Sequence, residues 1–149
     1  MIRLIEERDL QRVSALIQNT LLVSNLPDYD LETIGNLLNA FAPDQLRGLA
    51  HRRRIYILEE DGLLLGTIGL EGDRVYNFFV PPDRQGSGIG GRLLDFVEEK
   101  ARNEGRRTLT VDSSLTAVFF YRRRGYRKTG EQDNRAFGRT VTMVKILSG

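Results

Sequence analysis

Residues 84 to 91 read RQGSGIGG, four glycines in eight positions, between an apolar strand-like run that ends at Val80 and a helical apolar pattern that begins at Ile89. A strand that turns through glycines into a helix leaves the helix's first N–H groups, and the positive end of its dipole, at a turn with few side chains to cover them. That is a cradle for an anion such as a pyrophosphate. The feature narrows the fold because strand, turn and helix must be placed together. Two registers fit the glycines: Gly86 opens G-x-G-x-x-G, and Gln85 opens Q-x-x-G-x-G.

The 149 residues are enough for one domain, spanning 1–149, with a single sizeable core, and few for a dinucleotide enzyme with a separate substrate domain. Hydrophobic residues make up 40% and charged ones 28%, an ordinary soluble composition. No apolar run approaches the roughly 18 residues that would span a bilayer, so no membrane partner is expected. The N-terminal MIRLIEERDL carries acids where a signal peptide would be apolar, and the expected location is cytoplasmic. Without cysteine there is no thiolate nucleophile or zinc–thiolate site, and His51 alone builds no histidine cluster, so no metal is expected. The runs HRRR (51 to 54) and RRR (122 to 124) lack interleaved aromatics, and 22 basic residues face 20 acidic ones. They read as solvated surface or as partners for the phosphates of an anionic cofactor, and no nucleic-acid partner is expected.

Periodicity divides the chain without repeats or linkers. IRLI (2 to 5) reads as a strand, and a helix from about Asp9 carries Leu10, Val13, Leu16 and Ile17 on one face. Asp30 is placed to cap a second helix with the stripe Leu31, Ile34, Leu37, Leu38 and Phe41. Three strands follow to Val80, with turns at Asp61-Gly62 and Gly72-Asp73. After the glycine turn, Ile89, Leu93, Phe96, Val97 and Ala101 share a helix face, and Gly105 stands at its C-terminal cap. TLTVD (108 to 112) is a strand, a short helix closes at Gly125, and YRKTG and RTVTMVKIL supply two more strands. The result is an α+β domain with a central mixed, mostly antiparallel sheet of about six to seven strands and about four helices.

The G-x-G-x-x-G register implies a dinucleotide, with Asp112, 21 positions after Gly91, on a ribose hydroxyl. Against it, PPDRQ separates the strand end from Gly86, and about half the chain precedes this unit where an alternating β-α-β run should begin. The Q-x-x-G-x-G register uses more of the chain. VPPDRQGSGIGGRLL and SSLTAVFFYRRRGY resemble the two cofactor motifs of the GNAT superfamily of N-acetyltransferases, and the element order is similar along nearly all residues. Val80, Pro82, Gln85, Gly88 and Gly90 match the first motif; Ser114, Ala117, Tyr121 and Gly125-Tyr126 match the second, with Ser114 where asparagine is usual.

The resemblance implies a GNAT-like acyl-CoA N-acyltransferase fold with acetyl-CoA (coenzyme A) as cofactor. The pyrophosphate would lie on Gln85, Gly86, Ser87, Gly88, Ile89 and Gly90, the pantetheine arm along Phe78, Phe79 and Val80, and Ser114 near that arm. The thioester would sit between Val80 and Val111, with backbone amides near Val80 holding the oxyanion. Tyr121 would protonate the leaving thiolate. A glutamate that members acetylating histone-like substrates often keep as base falls at Arg74, which takes no proton, so such substrates are disfavoured; Glu71, Asp73, Asn77, Asp112 or water remain for that role. The implied reaction moves an acetyl group directly to a primary amine of a small molecule or peptide, bound between Leu21 to Asp30 and the hairpin GEQDNRAFG (130 to 138). The resemblance leaves room for a homodimer. The same residues fit a non-catalytic acetyl-CoA-binding sensor or interaction domain, and a dinucleotide-binding protein is the remoter reading.

Overall fold

The chain runs β1 (Ile2–Leu4), α1 (Leu10–Thr20), α2 (Leu31–Ala40), α3 (Pro43–Arg52), β2 (Arg54–Glu60), β3 (Leu63–Glu71), β4 (Arg74–Phe79), α4 (Ile89–Asn103), β5 (Thr108–Ser113), α5 (Val118–Arg123), β6 (Arg127–Asn134) and β7 (Gly138–Ile146). The computed structural model describes residues 1–25, 29–134 and 138–147. The strands form one sheet in the order β1-β2-β3-β4-β5-β7-β6, antiparallel except between β4 and β5. This is the expected α+β, mostly antiparallel architecture.

Alternation along the strands assigns the two faces. On β2, Ile55 and Ile57 join one apolar cluster with Leu10, Val13 and Ile17 of α1 and Leu46 of α3. Tyr56 and Leu58 join the other, with Leu93, Leu94 and Val97 of α4 and Tyr121 of α5. Successive side chains on a strand point to opposite sides, so α1 and α3 cover one face and α4 and α5 the other.

The local signals behave as their chemistry dictates. The Asp30 carboxylate accepts from the Thr33 amide at 2.7 Å and caps α2, although Leu31, placed in its apolar stripe by the sequence, is exposed. Helix α3 adds a fifth helix to the expected four. Pro43 sits at its first turn, where its missing N–H is no loss, and Leu46 is its one fully buried anchor.

Two features of β4 position the site. Its parallel pairing with β5 covers Arg74↔Thr110 and Val75↔Val111 only, after which the strands part. Its register with β3 shifts at Asn77, which adopts φ 52°. Asparagine tolerates this left-handed backbone better than most side chains, and the extra residue bulges the strand just beyond its last contact with β5.

Candidate active site

The glycine turn is built as a helix start. Gly86 and Gly88 have φ of 84° and 87°, so the turn depends on glycine's tolerance of left-handed backbone, and a Cβ at either position would stand in open space. Gly88 precedes α4, whose first ladder bond runs from the Arg92 amide to the Gly88 carbonyl at 3.0 Å. The amides of Ile89, Gly90 and Gly91 therefore lie ahead of the ladder, and no acidic residue stands in the first turn. The Gln85 side chain donates to the Val80 carbonyl at 3.1 Å and ties the turn to the strand end, while the Ser87 hydroxyl donates to the Arg84 carbonyl. Open glycines and unengaged amides at a helix N-terminus fit a pyrophosphate. Gly90 has a different reason from the one sequence reasoning supplies: a Cβ there would meet the Phe120 ring at 3.4 Å.

Arg124 belongs to the RRR run, which the sequence left open between solvated surface and a partner for cofactor phosphates. Its guanidinium lies over Gly91, in space a Cβ would occupy, and donates to Asp95 at 2.9 Å. It brings a fixed cation to the first turn of α4. Arg92, also in the first turn of α4, is paired with Glu60 at 2.7 Å.

Below the turn, aromatic rings from three elements meet. Phe78 of β4 contacts Phe120 at 5.9 Å and Tyr121 at 6.3 Å between centroids, and Tyr121 packs on Tyr126 at 5.5 Å. Phe79 points to the other face, edge-on to Phe41 at 5.3 Å. Tyr121 is buried, its hydroxyl has no hydrogen-bond partner among the described residues, and burial raises its phenol well above the ordinary value. It stays protonated at neutral pH, the state a proton donor requires. Ser114 follows β5, with its hydroxyl 3.2 Å from that of Thr116.

On the α1 and α3 face, Arg74, Asp112 and Thr142 form a row across β4, β5 and β7. Arg74 donates to one Asp112 oxygen at 2.7 Å and Thr142 to the other at 3.0 Å. Asp112 is thus engaged within the sheet, which argues against its use on a ribose. Among the remaining base candidates, Glu71 accepts from Arg53, Asp73 is exposed in a turn, and the Asn77 carbonyl accepts from Arg53 at 2.8 Å. Tyr29 packs on Gly138 and donates to the Arg139 carbonyl at 3.3 Å, so the α2 approach and the last hairpin, the two predicted acceptor walls, touch. Residues 26–28 and 135–137 of those walls lie outside the described residues. No group of His, Cys, Asp or Glu that could hold a metal occurs among the described residues, and no helix there is long and apolar enough to cross a membrane.

Comparison with known proteins bears on the family and the fold. Residues 25–147 match the family model described as Acetyltransferase (GNAT) domain. S-(2-succino)cysteine N-acetyltransferase of Bacillus subtilis is 32% identical over 108 residues, covering 62% of this chain and 66% of that protein. Among solved structures, a GCN5-related N-acetyltransferase from Rhodopseudomonas palustris superposes with a TM-score of 0.91 at 24% identity, covering 99% of this chain and 95% of that one. PaiA N-acetyltransferase of Thermoplasma acidophilum, solved in complex with coenzyme A, superposes at 0.80 with 17% identity over 98% of both chains.

Proposed function

The chain belongs to the GNAT acetyltransferase family, whose acyl donor is acetyl-CoA, and from that premise we propose that it transfers an acetyl group directly to the primary amine of an amino-acid-like acceptor. The acceptor named for the Bacillus subtilis relative is a cysteine derivative, which supports this class over a protein substrate.

Acetyl-CoA would supply an activated thioester. The residues of this chain do the rest. The amides of Ile89, Gly90 and Gly91, with the Arg124 guanidinium lying over that helix turn, would hold the pyrophosphate. The β4 backbone from Phe78 to Val80, free of a strand on its β5 side, pairs with the pantetheine amides as an added strand would, and Ser114 offers a hydroxyl near that arm. As the amine nitrogen bonds to the carbonyl carbon and the C–S bond breaks, backbone N–H groups near Val80 take the oxygen's developing charge. The nitrogen sheds a proton, Tyr121 passes one to the sulfur and solvent reprotonates the tyrosine, so the net balance is one proton moved from nitrogen to sulfur. With Asp112 and Glu71 engaged by arginines, the nitrogen's proton goes to water.

One observation carries the catalytic reading: the Tyr121 ring is buried against Phe78 while its hydroxyl has no hydrogen-bond partner among the described residues. Thiol release from acetyl-CoA over a panel of amines and amino acids tests it. Turnover of at least one amino acid, lost in Tyr121→Phe with coenzyme A binding kept, is the expected result. Tight coenzyme A binding with no turnover of any amine would make the chain a sensor.

A further inference from the structure

Arg53 is the capping residue of α3 and enters β2 with its side chain only 8% exposed. Its guanidinium lies 3.9 Å from the Tyr76 ring centroid. Gly69, the register partner of Tyr76, lies alongside it: a Cβ there would stand 3.6 Å from the Arg53 Cδ, an ordinary packing distance. Its Nε donates to Glu71 at 3.2 Å and its Nη1 to the Asn77 carbonyl oxygen at 2.8 Å. No acceptor for Nη2 is found among the described residues. The cation is therefore held on a stacked, two-point mount with one donor to spare, unlike the solvated arginine that the HRRR run suggests.

Asn77 completes the arrangement. It is 7% exposed, and its Nδ2 is buried with no hydrogen-bond partner. The orientation of its amide is settled by chemistry, because the guanidinium only donates and must face Oδ1. A buried N–H left unpaired is costly, so its position calls for an acceptor brought by a ligand. Asn77 also forms the β4 bulge, two residues past the last β4–β5 pair, at the parting of the strands.

We propose that Arg53 and Asn77 together seat a carboxylate of the acceptor, which rests on the reading of the chain as an amine acetyltransferase. The spare donors are Nη2 and Nδ2, on groups already joined by a hydrogen bond, and the matching ligand is planar, anionic and has two acceptor oxygens. Neither group accepts a proton, so the pair selects the acceptor and does not activate it. Glu71 engages only the Nε edge and is 43% exposed, so the inner edge stays available to an anion. The Arg74–Asp112 pair is internally balanced and adds no net charge. The Arg53 side chain lies on the face away from α4, opposite the pyrophosphate turn, which is the approach left to an acceptor.

The test uses the full chain and the standard L-amino acids, each beside its α-carboxamide and its decarboxylated amine. Turnover with acetyl-CoA and calorimetric binding to the coenzyme A-loaded protein are both measured. Wild type should favour the carboxylated acceptor by about 10- to 100-fold in kcat/KM and in affinity. Asn77→Asp keeps the shape and the Arg53 contact but replaces the donor with a negative charge. It should lose that preference through a raised KM for the carboxylated acceptor, while coenzyme A affinity is unchanged. Asn77→Gly, which keeps the left-handed backbone accessible, and Arg53→Lys should each lose it in part. Equal treatment of the three acceptors by wild type, or an equal loss on all three in Asn77→Asp, overturns the seat and leaves acetyl transfer standing. Absence of turnover with every amine overturns the enzymatic reading, and binding then decides the seat alone: amino acids that bind no better than their carboxamides sink it.

Discussion

Arg124 lies across Gly91 on the first turn of α4, so close that a Cβ at Gly91 would overlap its guanidinium. Two effects oppose each other in Gly91→Ala. Alanine favours a helix by about 1 kcal/mol over glycine. The displaced arginine swings away on a flexible side chain, loosening its contact with Asp95 and removing a cation from the phosphate end. The variant should melt no lower than wild type, yet bind coenzyme A about 3- to 10-fold more weakly, the scale of one partly exposed charged contact. Calorimetric titration beside a thermal melt checks both. Weakened binding with a lowered melting temperature would mean general damage instead.

Tyr121→Phe removes a hydroxyl without a protein partner from a ring held by Phe78, Phe120 and Tyr126. Folding stability should change by no more than about 0.5 kcal/mol, since no hydrogen bond is lost. The rate of acetyl transfer should fall on the order of 100-fold or more, the usual contribution of a positioned proton donor. Single-turnover kinetics with saturating acetyl-CoA would separate this from any effect on binding.

Much of this arrangement is legible in the sequence because its signals are local. The left-handed Gly86 and Gly88, the Gln85 tie to Val80, the Asp30 cap and the glycines at 105 and 125 each report a need met within a few residues. What was not legible depends on distant partners. Arg124 and Gly91 are 33 positions apart, and nothing in either segment indicates that one covers the other. Arg53 belongs to a basic run that looks solvated until Tyr76 and Gly69, on two other strands, provide its bed. Helix α3 escaped because its apolar residues, Leu46, Leu49 and Ala50, are too sparse to make a stripe against so many charges. The Asn77 bulge breaks the period of two without any change in composition.

The pH dependence of transfer follows from which groups titrate. Among the base candidates, Asp112 and Glu71 are engaged by arginines and Asp73 stands exposed in a turn, so the scheme gives the proton to water and the reactive form of the acceptor is its neutral amine. Log kcat/KM should rise with unit slope as pH increases and level off at the pKa of the amine itself. Because burial raises the Tyr121 phenol above its ordinary value, no falling limb from its ionisation should appear up to about pH 10. Two acceptors of different amine pKa discriminate the cases. A plateau that follows the acceptor supports the scheme, whereas one fixed at the same pH for both would reveal a protein base.

Far from the site, Asp9 sets the acid limit of the fold. It is 1% exposed and accepts from Arg3 at 2.8 Å, Arg12 at 3.0 Å and the Glu6 amide at 2.8 Å, with Glu59 completing the cluster between α1 and β2. The Arg3 guanidinium, first among these, holds its carboxyl well below the usual carboxylate range. A depressed folded-state pKa stabilises the protein above the unfolded value, about 4, and the contribution is lost as pH falls toward the folded value. Denaturant unfolding should therefore show stability declining progressively below about pH 4. Asp9→Asn keeps the shape but leaves Arg12 with Glu59, and Arg3 with Glu59 and a longer contact to Glu6 at 3.8 Å, and should cost about 3 kcal/mol at pH 7. Its stability should also change less between pH 7 and pH 3 than that of wild type. If both proteins lose stability in parallel as the pH is lowered, the acid sensitivity arises from other carboxylates.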